Sequence, residues 1–155
     1  MRTSTLVPSL TRKVAEAKEE VEVWGDGSAE RDIIHARDVA RAAIHVVENK
    51  LYSSYNVGRG TGVSIKTLIE TLIKVSGKDL AIKYDPTKPK GDSTRTANID
   101  KITGTGFKPL VSLEEGLAET LDWYRTGHTL FSKDTGALIG RYDPFLTPDY
   151  SNKIN

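Results

Sequence analysis

Apolar residues recur along this chain at two periods, and the switches between those periods mark out its elements. Over residues 5–19, Leu6, Val7, Leu10, Val14 and Ala15 fall at helical spacing, with Arg12, Lys13, Glu16, Lys18 and Glu19 elsewhere on the wheel, which predicts an amphipathic helix. Ser4 or Thr5 can cap it, and Pro8 sits in its first turn, where a missing N–H costs little. Val21 to Trp24 is a β-type run that stops at Gly25-Asp26-Gly27, a tight turn, and a second short apolar pair follows at Ile33-Ile34. Helical spacing resumes from Val39 to about Asn49, with Val39, Ala42, Ala43, Val46 and Val47 as the stripe and Asp38 as the predicted N-cap.

Leu51 to Val57 reads as a connection into a short strand that ends in Asn56-Val57-Gly58. Ile65, Leu68, Ile69, Leu72 and Ile73 then define a helix over residues 65–75 that stops at Gly77. Leu80 to Tyr84 alternates as a strand, and Asp85 to Arg95 turns polar with Pro86, Pro89 and Gly91 as punctuation. Ser112-Leu-Glu-Glu115 is a capping box in which Glu115 can reach back to the Ser112 N–H. It opens a helix from Leu113 to about Arg125, whose apolar face is Leu113, Leu117, Leu121 and Tyr124, with Trp123 alongside. Residues 127–155, with Gly136, Pro144, Pro148 and scattered aromatics, read as an extended tail that packs on a body or a partner.

Composition narrows the chemistry that these elements can carry. A length of 155 residues fits one domain with a real core. Twenty-two basic against 21 acidic residues leave a net charge of +1, so nothing suggests a broad surface for nucleic acid or anionic membrane, and any anion site is local. The absence of cysteine excludes disulfides, thiolate nucleophiles and cysteine metal sites, and the three histidines do not cluster in sequence. No apolar run approaches the roughly 18 to 20 residues that span a bilayer, and charges interrupt residues 1–20, so the expectation is a soluble cytoplasmic chain.

The stretch Trp24-Gly-Asp-Gly-Ser-Ala-Glu-Arg-Asp-Ile-Ile-His-Ala-Arg-Asp38 concentrates the candidate chemistry. Arg31 is a planar five-donor cation suited to a bidentate grip on phosphate or carboxylate, with Trp24 as a flat platform nearby; the plainer reading pairs it with Glu30 or Asp32 on a solvated edge. His35 and His45 read as a structural hydrogen-bonding group and a boundary residue, since no partner ligand sits nearby. Gly58-Arg-Gly-Thr-Gly62 stands between a predicted strand and a helix, where a glycine loop can hold phosphate, but Val63 breaks GxGxxG spacing and no Walker Lys-Ser/Thr follows. Lys88, Lys90 and Arg95 crowd cations into the loop after residue 84; as a charge run alone this is a solvated loop.

Taken whole, WGDGxxxRDxIHxxDVA resembles the substrate-domain motif of extended short-chain dehydrogenase/reductases, the NAD-dependent epimerase/dehydratase family acting on nucleotide sugars, in its GDP-fucose synthase flavour. The resemblance implies that Arg31 contacts the nucleotide-sugar diphosphate beside Trp24, with Ile33 standing where many members carry Phe or Tyr. It places Leu6 and Leu10 in the base pocket, although core packing is the plainer reading of both. Asn-Val-Gly-x-Gly at residues 56–60 is similar to the stretch that closes a late strand of the nucleotide-binding sheet and leads into a capped helix, the cap here being Ser64. Lys-Pro-Lys-Gly-Asp-Ser-Thr-Arg is similar to the family loop whose arginine clamps the diphosphate from the opposite side, which puts Arg95 and the neighbouring Lys90 at the site; Ala97-Asn98-Ile99 stands where Ala-Asp-Ile is usual. Ser112-Leu-Glu-Glu-Gly-Leu and Trp123-Tyr124 resemble the closing helix.

The implied fold class is α/β, an α+β substrate domain with an incomplete Rossmann sheet over residues 4–126, followed by a tail at 127–155. NAD or NADP is the implied cofactor, held by an N-terminal half, because no GxxGxxG and no credible Tyr-x-x-x-Lys pair is present. Tyr84 and Lys88 have that spacing, but Pro86 lies between them. No catalytic residue and no metal ligand is assigned. The implied function is the nucleotide-sugar-binding portion of an epimerase, reductase or dehydratase, inactive alone; the alternative is a non-catalytic nucleotide-sugar-binding or protein-interaction module. The implied partners are a GDP-, UDP- or dTDP-sugar and an N-terminal half or a second copy. Arg31 and Arg95 are expected on loops that converge, and the helices at 39–49 and 65–75 are expected to expose apolar flanks.

Overall fold

A helical layer meets a small parallel sheet in this computed structural model, which describes residues 5–88 and 91–126. The first helix, α1 (Leu6–Glu16), starts after Thr5 in extended backbone and carries Pro8 in its first turn. It leads into β1 (Glu20–Trp24), whose strict alternation buries Val21 and Val23 and exposes Glu20, Glu22 and Trp24. Gly25 and Gly27 both take positive φ in the turn that follows. Then come β2 (Glu30–Asp32), α2 (Ala36–Glu48), β3 (Gly62–Ser64) and α3 (Ile65–Ser76). The chain continues through β4 (Ala81–Asp85), β5 (Thr94–Arg95), a single-turn α4 (Asp100–Thr103) and α5 (Leu113–Arg125).

β1 and β4 pair in parallel, Val21 with Ile82 and Val23 with Tyr84, and α1, α3 and α5 pack on one another above them. The core between these layers gathers Leu10, Val14, Val21, Val23, Leu68, Ile69, Leu72, Leu80 and Leu117, the residues that both periodicities mark as apolar. A second cluster joins Ala42 of α2 to Ile99, Ile102 and Phe107. The mixed α/β architecture with partial sheets is the expected class.

Caps account for the boundaries. Ser64 Oγ accepts from Thr67 N at 3.0 Å and Ser112 Oγ from Glu115 N at 3.1 Å, while Gly77 ends α3 with φ +69°. The Glu115 carboxylate turns to Arg37 at 2.7 Å instead of back to Ser112. The C-terminus of α1 is held from outside: Lys78 Nζ donates to the carbonyls of Val14, Ala15 and Ala17 at 3.0, 2.6 and 2.7 Å. An ammonium on three orphan carbonyls at the negative end of a helix is worth about 2 kcal/mol. Lys78→Met is therefore expected to lower stability by about that amount, read as a fall in the urea midpoint at unchanged slope; an unchanged midpoint would show the contact to be idle.

Several expectations change. Asp38 does not cap α2: the helix begins earlier, capped by His35 Nδ1, which accepts from Arg37 N at 3.3 Å. The Asp38 side chain is fully buried and accepts from Leu110 N (3.0 Å), Val111 N (2.9 Å) and Arg41, so long-range amides claim it before the local helix end can. No strand forms at Tyr55–Val57. Tyr55 and Val57 spend their side chains on the second cluster while the backbone at Arg59 and Gly60 turns toward Asp32. The two helices expected to show apolar flanks differ: α3 is covered by α1 and α5, whereas α2 leaves Val39, Ile44 and Val47 exposed, Val47 at 76%. The expectation for residues 127–155 lies outside the described residues.

Candidate anion-binding site

Two cations face each other across a strand ladder. β2 is the middle strand of a three-stranded sheet, antiparallel to β3 (Arg31 opposite Val63) and parallel to β5 (Glu30 opposite Thr94, Arg31 opposite Arg95). Residues in register on parallel neighbours project from the same face, with strands about 4.8 Å apart. Arg31 and Arg95 thus rise side by side, where like charges destabilise a sheet unless an anion offsets them. Among the described residues neither has a carboxylate partner: Glu30 lies against Gly62, and Asp32 is committed to backbone amides. The edge ion pair set against an anion role is not what the structure forms.

Arg31 is half-buried and aimed. Its Nη1 donates to Glu30 O at 2.6 Å and Asp92 O at 2.9 Å, which ties the 85–95 loop to β2. Gly91 takes φ +69°, where a side chain is strained, and a Cβ there would press on Arg31 Nη2 at 3.3 Å. Arg95 is exposed. The expectation that both arginines sit on loops is corrected: each occupies a strand, because the turn at Gly25–Gly27 returns the chain early enough for residues 30–32 to pair.

The remaining site candidates are not all gathered here. Trp24 stands on the other sheet, 54% exposed, with Lys13 Nζ 5.8 Å from its ring centroid, and no hydrogen bond, ion pair or cation–ring contact joins it to either arginine among the described residues. Leu10 is buried in the first core, and Leu6 is half-buried against it. Lys90 lies outside the described residues. Tyr84 and Lys88 occupy a strand and the turn after it, not one face of a helix, and the Tyr84 hydroxyl is buried without a hydrogen-bond partner among the described residues.

Sequence reasoning offered Asp32 only as an edge partner for Arg31. Its Oδ1 accepts from Arg59 N at 2.8 Å, and its Oδ2 from Gly60 N at 3.1 Å and Ala97 N at 3.2 Å. The glycine-rich loop at 58–62 therefore wraps the chain's own carboxylate. A Cβ on Gly58 would come within 2.5 Å of Oδ2, which is why glycine stands there. A loop whose amides are spent on Asp32 does not fit a dinucleotide pyrophosphate, so no step through NAD or NADP is derived from it. The signal was present, an acid and a glycine-rich loop in one chain, but nothing local says that they meet. A cavity of about 280 Å³ lies beside this region, lined by Val7, Pro8, Ile33, Ile34 and Arg59 among others, with Arg59 Nη1 donating to Val111 O at 2.5 Å. Among the described residues there is no cluster of three or more metal-ligating side chains, and no helix long and apolar enough to cross a membrane.

Known proteins share both the sequence and the fold. The family described as "NAD dependent epimerase/dehydratase family" matches residues 1–58. A GDP-L-fucose synthase of Arabidopsis thaliana is 38% identical over 128 residues, 78% of this chain and 39% of that protein. The GDP-L-fucose synthase of Escherichia coli K12 is 33% identical over 135 residues, 78% of this chain and 42% of its own length. The crystal structure of a UDP-glucose 4-epimerase from Thermotoga maritima with UDP-glucose superposes with a TM-score of 0.67 at 28% identity, over 81% of this chain and 41% of that one. The chain thus spans about two-fifths of the length of the curated relatives it matches. Residues 1–58 thus carry the NAD-dependent epimerase/dehydratase family signature, and the chain has GDP-L-fucose synthases among its relatives.

Proposed function

We propose that residues 4–126 form a nucleotide-sugar-binding unit that grips the diphosphate between Arg31 and Arg95, with residues 127–155 as a separate tail. The observation that carries this reading is the registered pair itself: Arg31 and Arg95 opposite each other on neighbouring parallel strands, neither in an ion pair with a carboxylate among the described residues. A diphosphate supplies charge-assisted acceptors for both forks at once. The family resemblance assigns Trp24, Leu6, Leu10 and Lys90 to the same ligand, and the named substrates of the relatives support a GDP-, UDP- or dTDP-sugar as the ligand class.

The unit binds but does not turn over its ligand by itself. The cofactor, NAD or NADP, and the proton-moving pair come from a region outside residues 4–126, an N-terminal half or a partner chain. Two features support this: the 58–62 loop is filled by Asp32, and Tyr84 is fixed on a strand. The expected result is saturable binding of at least one nucleoside diphosphate sugar in equilibrium dialysis, with no turnover under NAD, NADP or their reduced forms. Turnover that persists through further purification would overturn the non-catalytic part; absence of binding to every nucleoside diphosphate sugar tested would overturn the rest.

A further inference from the structure

The β2–β5 ladder has only two registered pairs, Glu30 with Thr94 and Arg31 with Arg95. So short a ladder specifies its register weakly. One residue beyond the second pair, on the face of β2 opposite Arg31, lies Asp32. Its Oδ2 takes the N–H of Ala97, two residues past Arg95, and both oxygens take the 59–60 backbone. We propose that Asp32 is the positioning residue that sets Arg95 opposite Arg31, so that the anion site depends on a carboxylate that never touches the anion. This rests on the diphosphate reading above.

The chemistry separates positioning from simple electrostatics. A carboxylate beside two arginines weakens anion binding by its charge, so removing that charge without moving anything would tighten it. Positioning predicts the reverse. Asparagine offers one oxygen and turns an NH2 donor toward either Arg59 N or the Gly60 and Ala97 amides, so the tie to one side is lost. Gly58→Ala reaches the same end with every charge kept, because its Cβ would lie 2.5 Å from Oδ2 and displace the carboxylate.

The test uses the full chain with GDP as the probe and amide hydrogen exchange as a readout that needs no ligand. Asp32→Asn and Gly58→Ala are each expected to weaken GDP binding about tenfold, to add little further loss when combined with Arg95→Ala, and to speed exchange at Arg95 and Ala97 while α3 and α5 stay protected. GDP binding that is tighter or unchanged in Asp32→Asn, or losses that multiply with that of Arg95→Ala, would overturn the proposal. If the unaltered chain binds no GDP, the diphosphate reading falls by itself. Exchange then decides for Asp32: faster at 95 and 97 in both variants upholds its hold on the register, and unchanged protection ends it. Should Asp32→Asn fail to fold, Gly58→Ala decides on the same readouts.

Discussion

Truncating Asp38 to alanine is expected to cost about 3 to 5 kcal/mol of stability and to lower Tm by on the order of 10 °C or more. The side chain is fully buried, and its oxygens satisfy the Leu110 and Val111 amides and meet Arg41. Alanine leaves two amides without acceptors in the seam that joins α2 to the segment before α5, and each orphaned donor carries a desolvation penalty. Burial pushes the Asp38 carboxyl up, but the Val111 and Leu110 amides and the Arg41 guanidinium together outweigh it and hold it below the usual carboxylate range. A carboxyl depressed in the folded state gives stability that is fully present above its ordinary value near 3.8 and is lost as the pH falls through the lower folded value. Thermal melts between neutral pH and pH 2 should therefore show a steeper acid loss in the native chain than in Asp38→Asn. Parallel curves would mean that Asp38 is not charged in the fold.

Substituting the arginines acts on binding instead. Arg31→Ala and Arg95→Ala should each weaken a nucleoside diphosphate about tenfold to a hundredfold, the equivalent of one charge-assisted contact of roughly 1.5 to 3 kcal/mol. Arg31→Lys should recover little, since an ammonium cannot reproduce the two-pronged geometry. The two variants differ in what else they disturb. Arg95 is exposed, so its loss leaves the fold alone, whereas Arg31 also latches Asp92 O, so its loss loosens the 85–95 loop as well. Arg95→Ala is thus the cleaner probe, and a melt unchanged from the native chain would accompany its affinity loss. Affinity that survives both substitutions would place the phosphates elsewhere.

Period alone located α1, α3 and α5 to within a few residues, because each buries a continuous apolar stripe against the others and local caps at Ser64 and Ser112 agree with that burial. The strands were less legible. β2 spans only three residues and reads Glu-Arg-Asp, with no apolar alternation to announce it; its pairing comes from the turn before it and from partners thirty or more residues away. The start of α2 was misread for a related reason, since a buried Asp38 answers to Leu110 and Val111, which lie far along the chain. Arg31 and Arg95 stood out as residue types, and the family resemblance named them together, but their registered placement is a property of the ladder. Asp32 stood out only as an edge partner for Arg31, because its role is defined by amides at 59, 60 and 97.

The shared grip of Arg31 and Arg95 is tested most directly by calorimetric titration of GDP into the native chain and into the Arg31→Ala/Arg95→Ala double variant under one buffer and salt condition. Saturable binding in the native chain that falls by about a hundredfold or more in the double variant is the predicted result; equal affinity in the two chains, or no binding in the native one, would contradict it.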